Sequence, residues 1–255
     1  MNSKAIGIIG VVAVAAIGAA IWYTQQPAAP VAPPQPVPAP VTPAPTPDTG
    51  AVTRAAPPLP PPDVPPPAAL EGSDDAVHAA VANFGPQLQQ WLTPKDQVRK
   101  WVTLVDQIAD GTVPVEQRPL TYKLKPFAVA REGDALVPDK TNYTRATALI
   151  DALTAIPPER LAAYYRGWRP LLEKAQKELG GDKSFDNRLR AALQRIVAVR
   201  PLPDKQPALE QPSVYYTYAD PRYEKAGAVD KFMWRLGPDN SKRLQAYVNK
   251  LLPLL

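Results

Sequence analysis

Asp220 and Glu224 stand four residues apart, close enough to share one face of a helix. Two carboxylates so placed suit glycoside hydrolysis, one as general acid and the other as nucleophile or base. The same pair has a plainer use. Asp220 precedes Pro221, which is an N-cap followed by a first-turn proline, and acids in that turn complement the helix dipole. Other catalytic patterns are thin. His78 is the single histidine and the chain has no cysteine, so thiolate metal sites and structural disulfides are excluded. The Gly180-Gly181-Asp182-Lys183-Ser184 segment lacks phosphate-loop spacing and follows a helical stripe rather than a strand. No serine sits in a G-x-S-x-G elbow. The residues therefore name no catalytic group, no metal and no cofactor.

Binding chemistry has better support. Residues 159–200 hold ten basic and five acidic side chains. The excess includes Arg160, Arg166, Arg169, Arg188, Arg190, Arg195 and Arg200, a candidate surface for an anionic partner such as lipid headgroups, cell-wall carboxylates or an acidic protein. A solvated face of mixed sign explains the same composition. Tyr215, Tyr216, Tyr218 and Tyr223 fall within nine residues and form a candidate aromatic contact, suited to stacking on sugars or to packing between elements.

These side chains must be held by helices. Val98, Trp101, Val102, Val105 and Ile108 recur at helical spacing, with Thr93-Pro94 read as the N-cap and first-turn proline. Further stripes run Tyr143–Leu153, Leu161–Leu179, Phe185–Val197 (capped by Ser184), Val229–Leu236 and Leu244–Leu252. A shorter helix is expected over 74–84, continuing at 87–92. Pro170 should kink the long third stripe. Only Leu120–Glu132 and Ser213–Tyr218 alternate as strands do. The expected fold is mainly α: one compact, irregular helical domain over 74–255 with at most a minor β element.

Two segments precede that domain. Ala5–Tyr23 is a charge-free run of 19 residues, about 28 Å long as a helix, which matches the hydrocarbon core of a bilayer. Lys4 lies before it and the next basic residue is Arg54, so the positive-inside rule places the N-terminus in the cytoplasm and the domain in the periplasm. A cleaved signal peptide ending at Gly18-Ala19-Ala20 is the competing reading; the length of the run and the aromatics Trp22 and Tyr23 favour an uncleaved single-pass anchor over 1–23. Residues 24–73 contain 18 of the 34 prolines and form a linker unable to bury a core of its own. As polyproline II it would reach at most about 150 Å. Nucleic acid suits the charge but not this compartment. No pattern specifies an oligomeric state.

Several segments of the domain carry a family resemblance. They are Val98-Arg99-Lys100-Trp101-Val102, Asn142-Tyr143-Thr144-Arg145, Arg169-Pro170-Leu171-Leu172, Tyr218-Ala219-Asp220-Pro221 through Glu224, and Arg235-Leu236-Gly237-Pro238-Asp239-Asn240. Across residues 88–245 the chain resembles the bacterial envelope proteins grouped as domain of unknown function 3014. Tyr223 departs from the smaller aliphatic residue expected there. The resemblance implies a membrane segment, a variable proline-rich spacer and this domain, with no established activity and no assigned site residues. The reading that follows is an inner-membrane-anchored periplasmic binding or scaffold module, reaching the wall or an envelope protein through its spacer. The alternative is a carboxylate-dependent glycan hydrolase built on Asp220 and Glu224.

Overall fold

The structure, a computed structural model, describes residues 59–114 and 116–255. The segment Ala5–Tyr23, expected to be an anchor, and the proline-rich segment up to residue 58 lie outside the described residues. Among the described residues no helix is long and apolar enough to cross a membrane.

Nine α-helices are described: α1 (Asp74–Ala82), α2 (Pro86–Trp91), α3 (Gln97–Ala109), α4 (Thr147–Thr154), α5 (Pro158–Glu178), α6 (Phe185–Ala198), α7 (Pro221–Glu224), α8 (Ala228–Leu236) and α9 (Pro238–Leu251). The domain is mainly helical, as expected, and its apolar stripes form one core. Val102, Leu104 and Val105 of α3 are fully enclosed, as are Leu244 and Val248 of α9. α3 packs mainly on α6 and α5, and α9 lies against α4, α5, α6 and α8. The long helix α5 runs through Pro170 without a break in its 21 residues.

The β element is a small antiparallel sheet of β1 (Val129–Glu132), β2 (Ala135–Pro138), β3 (Leu209–Glu210) and β4 (Thr217–Tyr218), in that order. β1 and β2 form a hairpin turning at Gly133, where φ is +61°. β3 joins through the pair Leu136–Leu209, more than seventy residues apart in sequence. No local alternation could announce that pairing.

One expected cap is corrected. Thr93-Pro94 does not start α3, which begins at Gln97 after a left-handed Asp96. The open N–H groups of Asp96 and Gln97 donate instead to the Asp74 carboxylate, at 3.0 and 2.8 Å. Asp74 opens α1, so one helix supplies the capping oxygen of another. Thr93 joins a different network: its hydroxyl receives the Gln97 side-chain amide at 2.7 Å, while Gln97 Oε1 accepts from the Trp101 indole at 3.1 Å. Ser184 does cap α6, accepting from Asn187 N at 3.3 Å.

The basic residues of α6 close the C-terminal end of α3. Arg188 is 8% exposed and donates to Asp106 Oδ1 at 2.5 Å, to the Asp106 carbonyl at 2.6 Å and to Asp110 at 2.7 Å. Arg195 donates to the Ala109 carbonyl at 3.0 Å. Burial alone would lower the Arg188 pKa, but its bonds to Asp110 and Asp106 outweigh burial and raise it. Arg188→Met should cost roughly 2 kcal/mol, because Asp106 then loses its charged partner and keeps only the Gln176 amide at 3.2 Å, while the solvated Asp110 does not suffer. A lowered urea midpoint with an unchanged slope would show it.

The last residues of the proline-rich segment lie on the domain. Leu59 and Val64 pack against the core and Leu70 is 3% exposed.

Candidate functional site

A cavity of about 280 Å³ opens between the loop after α3, the β3–β4 hairpin and α8. Its walls are mostly apolar and aromatic: Leu124, Phe127, Leu209, Tyr216, Phe232 and Leu236. Val214 and Tyr215 stand at the hairpin tip, 82% and 47% exposed, and also line it. The charged side chains lining this cavity are Arg145, Glu224 and Arg235.

The two arginines arrive from distant parts of the chain. Arg145 follows the 3₁₀ turn Lys140–Thr144, which Asp139 caps by accepting from Thr141 N at 2.7 Å. Asn142, 1% exposed, ties this turn to the start of the sheet. Its side-chain amide donates to the Ala128 carbonyl at 2.6 Å, and its Oδ1 accepts from Ala128 N at 2.9 Å and from Arg145 Nη1 at 3.2 Å. The Arg145 guanidinium also lies 5.8 Å from the Phe127 ring centre. Its Nε is buried without a hydrogen-bond partner.

Arg235 sits in the last turn of α8. Helix α8 ends at Gly237, whose φ of +85° and ψ of 161° belong to glycine. The Tyr143 side chain packs against that glycine: a Cβ at 237 would lie 2.5 Å from Tyr143 Cβ. Asn240, at the start of α9, closes the corner by donating to the Tyr143 carbonyl at 2.8 Å and the Leu236 carbonyl at 3.1 Å. The segments 142–145 and 235–240 thus lock each other and bring both guanidiniums to the cavity.

Their electrostatics are unbalanced. Burial lowers the Arg145 pKa, and the positive charge of Arg235 lowers it further. Burial lowers the Arg235 pKa as well, against the pull of Tyr218 and Glu224. Glu224 is otherwise engaged. Its Oε1 accepts from Lys231 Nζ at 2.9 Å and its Oε2 from Tyr218 N at 2.9 Å. Lys231 is 7% exposed, so its charge needs that carboxylate close by. Among the described residues that line or border the cavity, Arg145, Arg235 and Lys231 stand around one carboxylate, Glu224. Two planar guanidinium groups beside an apolar cavity suit a carboxylate or phosphate carried on an apolar body.

The four tyrosines divide into two groups. Tyr215 and Tyr216 line the cavity, with Tyr216 6.1 Å from Phe127. Tyr218 also borders it, but its ring packs 5.9 Å from Tyr223 and 6.0 Å from Trp234, a three-ring cluster that supports the hairpin from behind. The seven arginines do not gather into one free patch. Arg160 meets Asp63 at 2.5 Å, Arg188 and Arg195 close α3, and Arg166 donates to the Leu254 carbonyl at 2.7 Å. Arg190 reaches the Leu255 carbonyl and Asp186, Arg169 stands 4.0 Å from Glu173, and Arg200 is exposed beside a second groove lined by Trp234. Asp220 caps α7 by accepting from Arg222 N at 2.8 Å, and pairs with the Arg222 guanidinium at 2.6 Å.

Sequence reasoning gave Arg145 and Arg235 no role. A signal existed: Arg235 lies three residues after the buried Phe232, on the edge of an apolar helical stripe, where a cation needs an explanation.

No curated protein and no solved structure matches the chain. The model of one family, described as protein of unknown function (DUF3014), matches residues 97–252. That span covers more than half the chain and contains both arginines and every strand of the sheet, so the chain belongs to the DUF3014 family.

Proposed function

We propose that the chain is a binding module of the cell envelope, anchored in the inner membrane by Ala5–Tyr23 and held in the periplasm by its proline-rich spacer. Its cavity takes an anionic group, carboxylate or phosphate, attached to an apolar or aromatic body. The observation that carries this reading is the pair Arg145 and Arg235, turned to one apolar cavity whose single carboxylate already serves Lys231. Binding is favoured over glycan hydrolysis by the same geometry. Asp220 is held by Arg222, and Glu224 by Lys231 and a backbone N–H. The apolar run without flanking acids and the basic residue only before it support the location.

Phenyl phosphate, inorganic phosphate and benzyl alcohol are suitable probes for thermal-shift titration of the full chain. Phenyl phosphate should stabilise most, because it offers both the anion and the ring, and at a hundred times its dissociation constant the gain is about 2.7 kcal/mol. Equal stabilisation of a chain carrying Arg145→Met and Arg235→Met would remove the basis for the proposal. The location has its own check: a reporter fused after Leu255 should be active in the periplasm, and activity confined to the cytoplasm would refute it.

A further inference from the structure

One face of α5 carries Arg160, Tyr164, Gly167 and Trp168, which lie at positions i, i+4, i+7 and i+8. Residues 62–64 of the proline-rich segment lie along this face, and each is met differently. Pro62 sits over Gly167 so closely that a Cβ there would come within 2.7 Å of the proline ring. Asp63 accepts from Arg160 Nη2 at 2.5 Å and Nε at 2.9 Å. Val64 is held through its backbone. Its N–H donates to the Tyr164 hydroxyl at 3.2 Å, and its carbonyl accepts from the Trp168 indole N–H at 3.0 Å. Phe84 stands edge-on to Tyr164 at 4.9 Å and extends the aromatic floor.

Aromatic floors with an indole donor suit extended proline-rich chain. Such chain has few N–H groups of its own, exposes its carbonyls and loses little entropy on binding. We propose that this face of α5 is a recognition site for segments of the form Pro-Asp-aliphatic. Residues 62–64 are its resident occupant, and a proline-rich partner bearing the same three residues exchanges with them.

Exchange requires the resident to leave without unfolding the core. Its ion pair is solvent-exposed, 38% and 52% for the two side chains, and such pairs hold weakly. Among the described residues two hydrogen bonds and partial packing against the core hold Val64, and the buried Leu70 lies six residues further on, so lifting 62–64 costs that partial packing and leaves Leu70 in place. The site is distinct from the arginine cavity, and the two are testable apart.

The test uses the full chain and a labelled peptide with the sequence of residues 60–67, followed by fluorescence anisotropy. Asp63→Arg with Val64→Pro disables the resident by reversing its charge and removing its N–H. The peptide should bind this variant at least tenfold more tightly than the native chain, where the tethered segment competes at an effective concentration in the millimolar range. Adding Trp168→Phe, which keeps the ring but not the donor, should weaken that binding about tenfold. Absent binding to the folded variant, or binding indifferent to Trp168→Phe and Arg160→Ala, would overturn the proposal. A second readout needs no substitution: excess peptide should speed hydrogen exchange of the Val64 amide in the native chain several-fold, and an unchanged rate overturns exchange.

Discussion

Arg235→Met is expected to make the unliganded domain more stable and to weaken its response to anions at least tenfold. Most substitutions of a well-packed residue destabilise, so a gain is diagnostic. Burial draws the Arg235 pKa below the ordinary arginine value. A cation whose pKa is lower folded than unfolded opposes folding while it is charged, and that penalty fades only as pH rises through the folded value. At neutral pH the penalty is present in full. Methionine fills similar space beside Phe232 and Leu236, carries no charge, and relieves the repulsion of Arg145. The expected gain is at most about 1 kcal/mol, because Arg235 is half-buried and water screens part of its charge. The anion response should fall at least tenfold, since a bidentate guanidinium contact is lost. Arg145→Met should weaken the anion response in the same way but without the gain in stability, because it gives up the bond to Asn142 Oδ1 and the contact with the Phe127 ring. Thermal unfolding with and without phenyl phosphate reads both quantities on one sample. A destabilised variant that still responds to anions would show that Arg235 serves the fold and not a ligand.

Gly237→Ala is expected to produce the largest loss of stability of any single methyl addition among the described glycines. Two effects combine. The backbone at φ +85° and ψ 161° lies in a region essentially confined to glycine, which costs a side chain about 1–3 kcal/mol. The added Cβ would also lie 2.5 Å, 2.6 Å and 2.7 Å from three atoms of Tyr143. Those atoms are the root of the tyrosine, not its mobile end, so relief requires moving the turn that carries Arg145. Overpacking of this kind costs about 1–3 kcal/mol more. A total on the order of 3 kcal/mol would lower Tm by roughly 6–12 °C in a domain of this size. The cavity should suffer with the fold, because the same contact sets both arginines. Gly85→Ala is the useful control: its φ of 152° and ψ of 146° lie close to the same glycine region, but no atom lies within 4 Å of the added Cβ. The difference between the two variants isolates the Tyr143 contact.

Much of the fold was legible in the chain. The stripes around Val98–Ile108, Phe185–Val197 and Val229–Leu236 all became helices with those residues inside, because a 3.6-residue period is visible in any short window. Asp220 and Ser184 cap the helices they precede, since a cap acts only two or three residues away. Thr93 failed by the same logic. The donor groups at the start of α3 found a better acceptor on Asp74, 22 and 23 residues earlier, which only packing of α1 on α3 provides. The sheet was legible in part: β1 falls within Leu120–Glu132 and β4 within Ser213–Tyr218, whereas β2 and β3 pair across more than seventy residues and left no local signal.

The candidate site divides in the same way. Tyr215 and Tyr216 stood out by clustering and do face the cavity. The basic run over 159–200 stood out by count, yet its arginines chiefly close helix ends and meet local acids. Arg145 and Arg235 are ninety residues apart and belong to no run at all.

The chain by itself settled the helices, the single core they build, the absence of thiol chemistry and the proline-rich approach to the domain. Those properties follow from composition and from neighbours within one or two turns. Which cations gather around Glu224, which helix caps another and where residues 62–64 lie were decided by the tertiary structure alone. Charge balance and hydrogen-bond satisfaction are properties of a point in space, and the groups that meet at such a point come from segments that no sequence window contains.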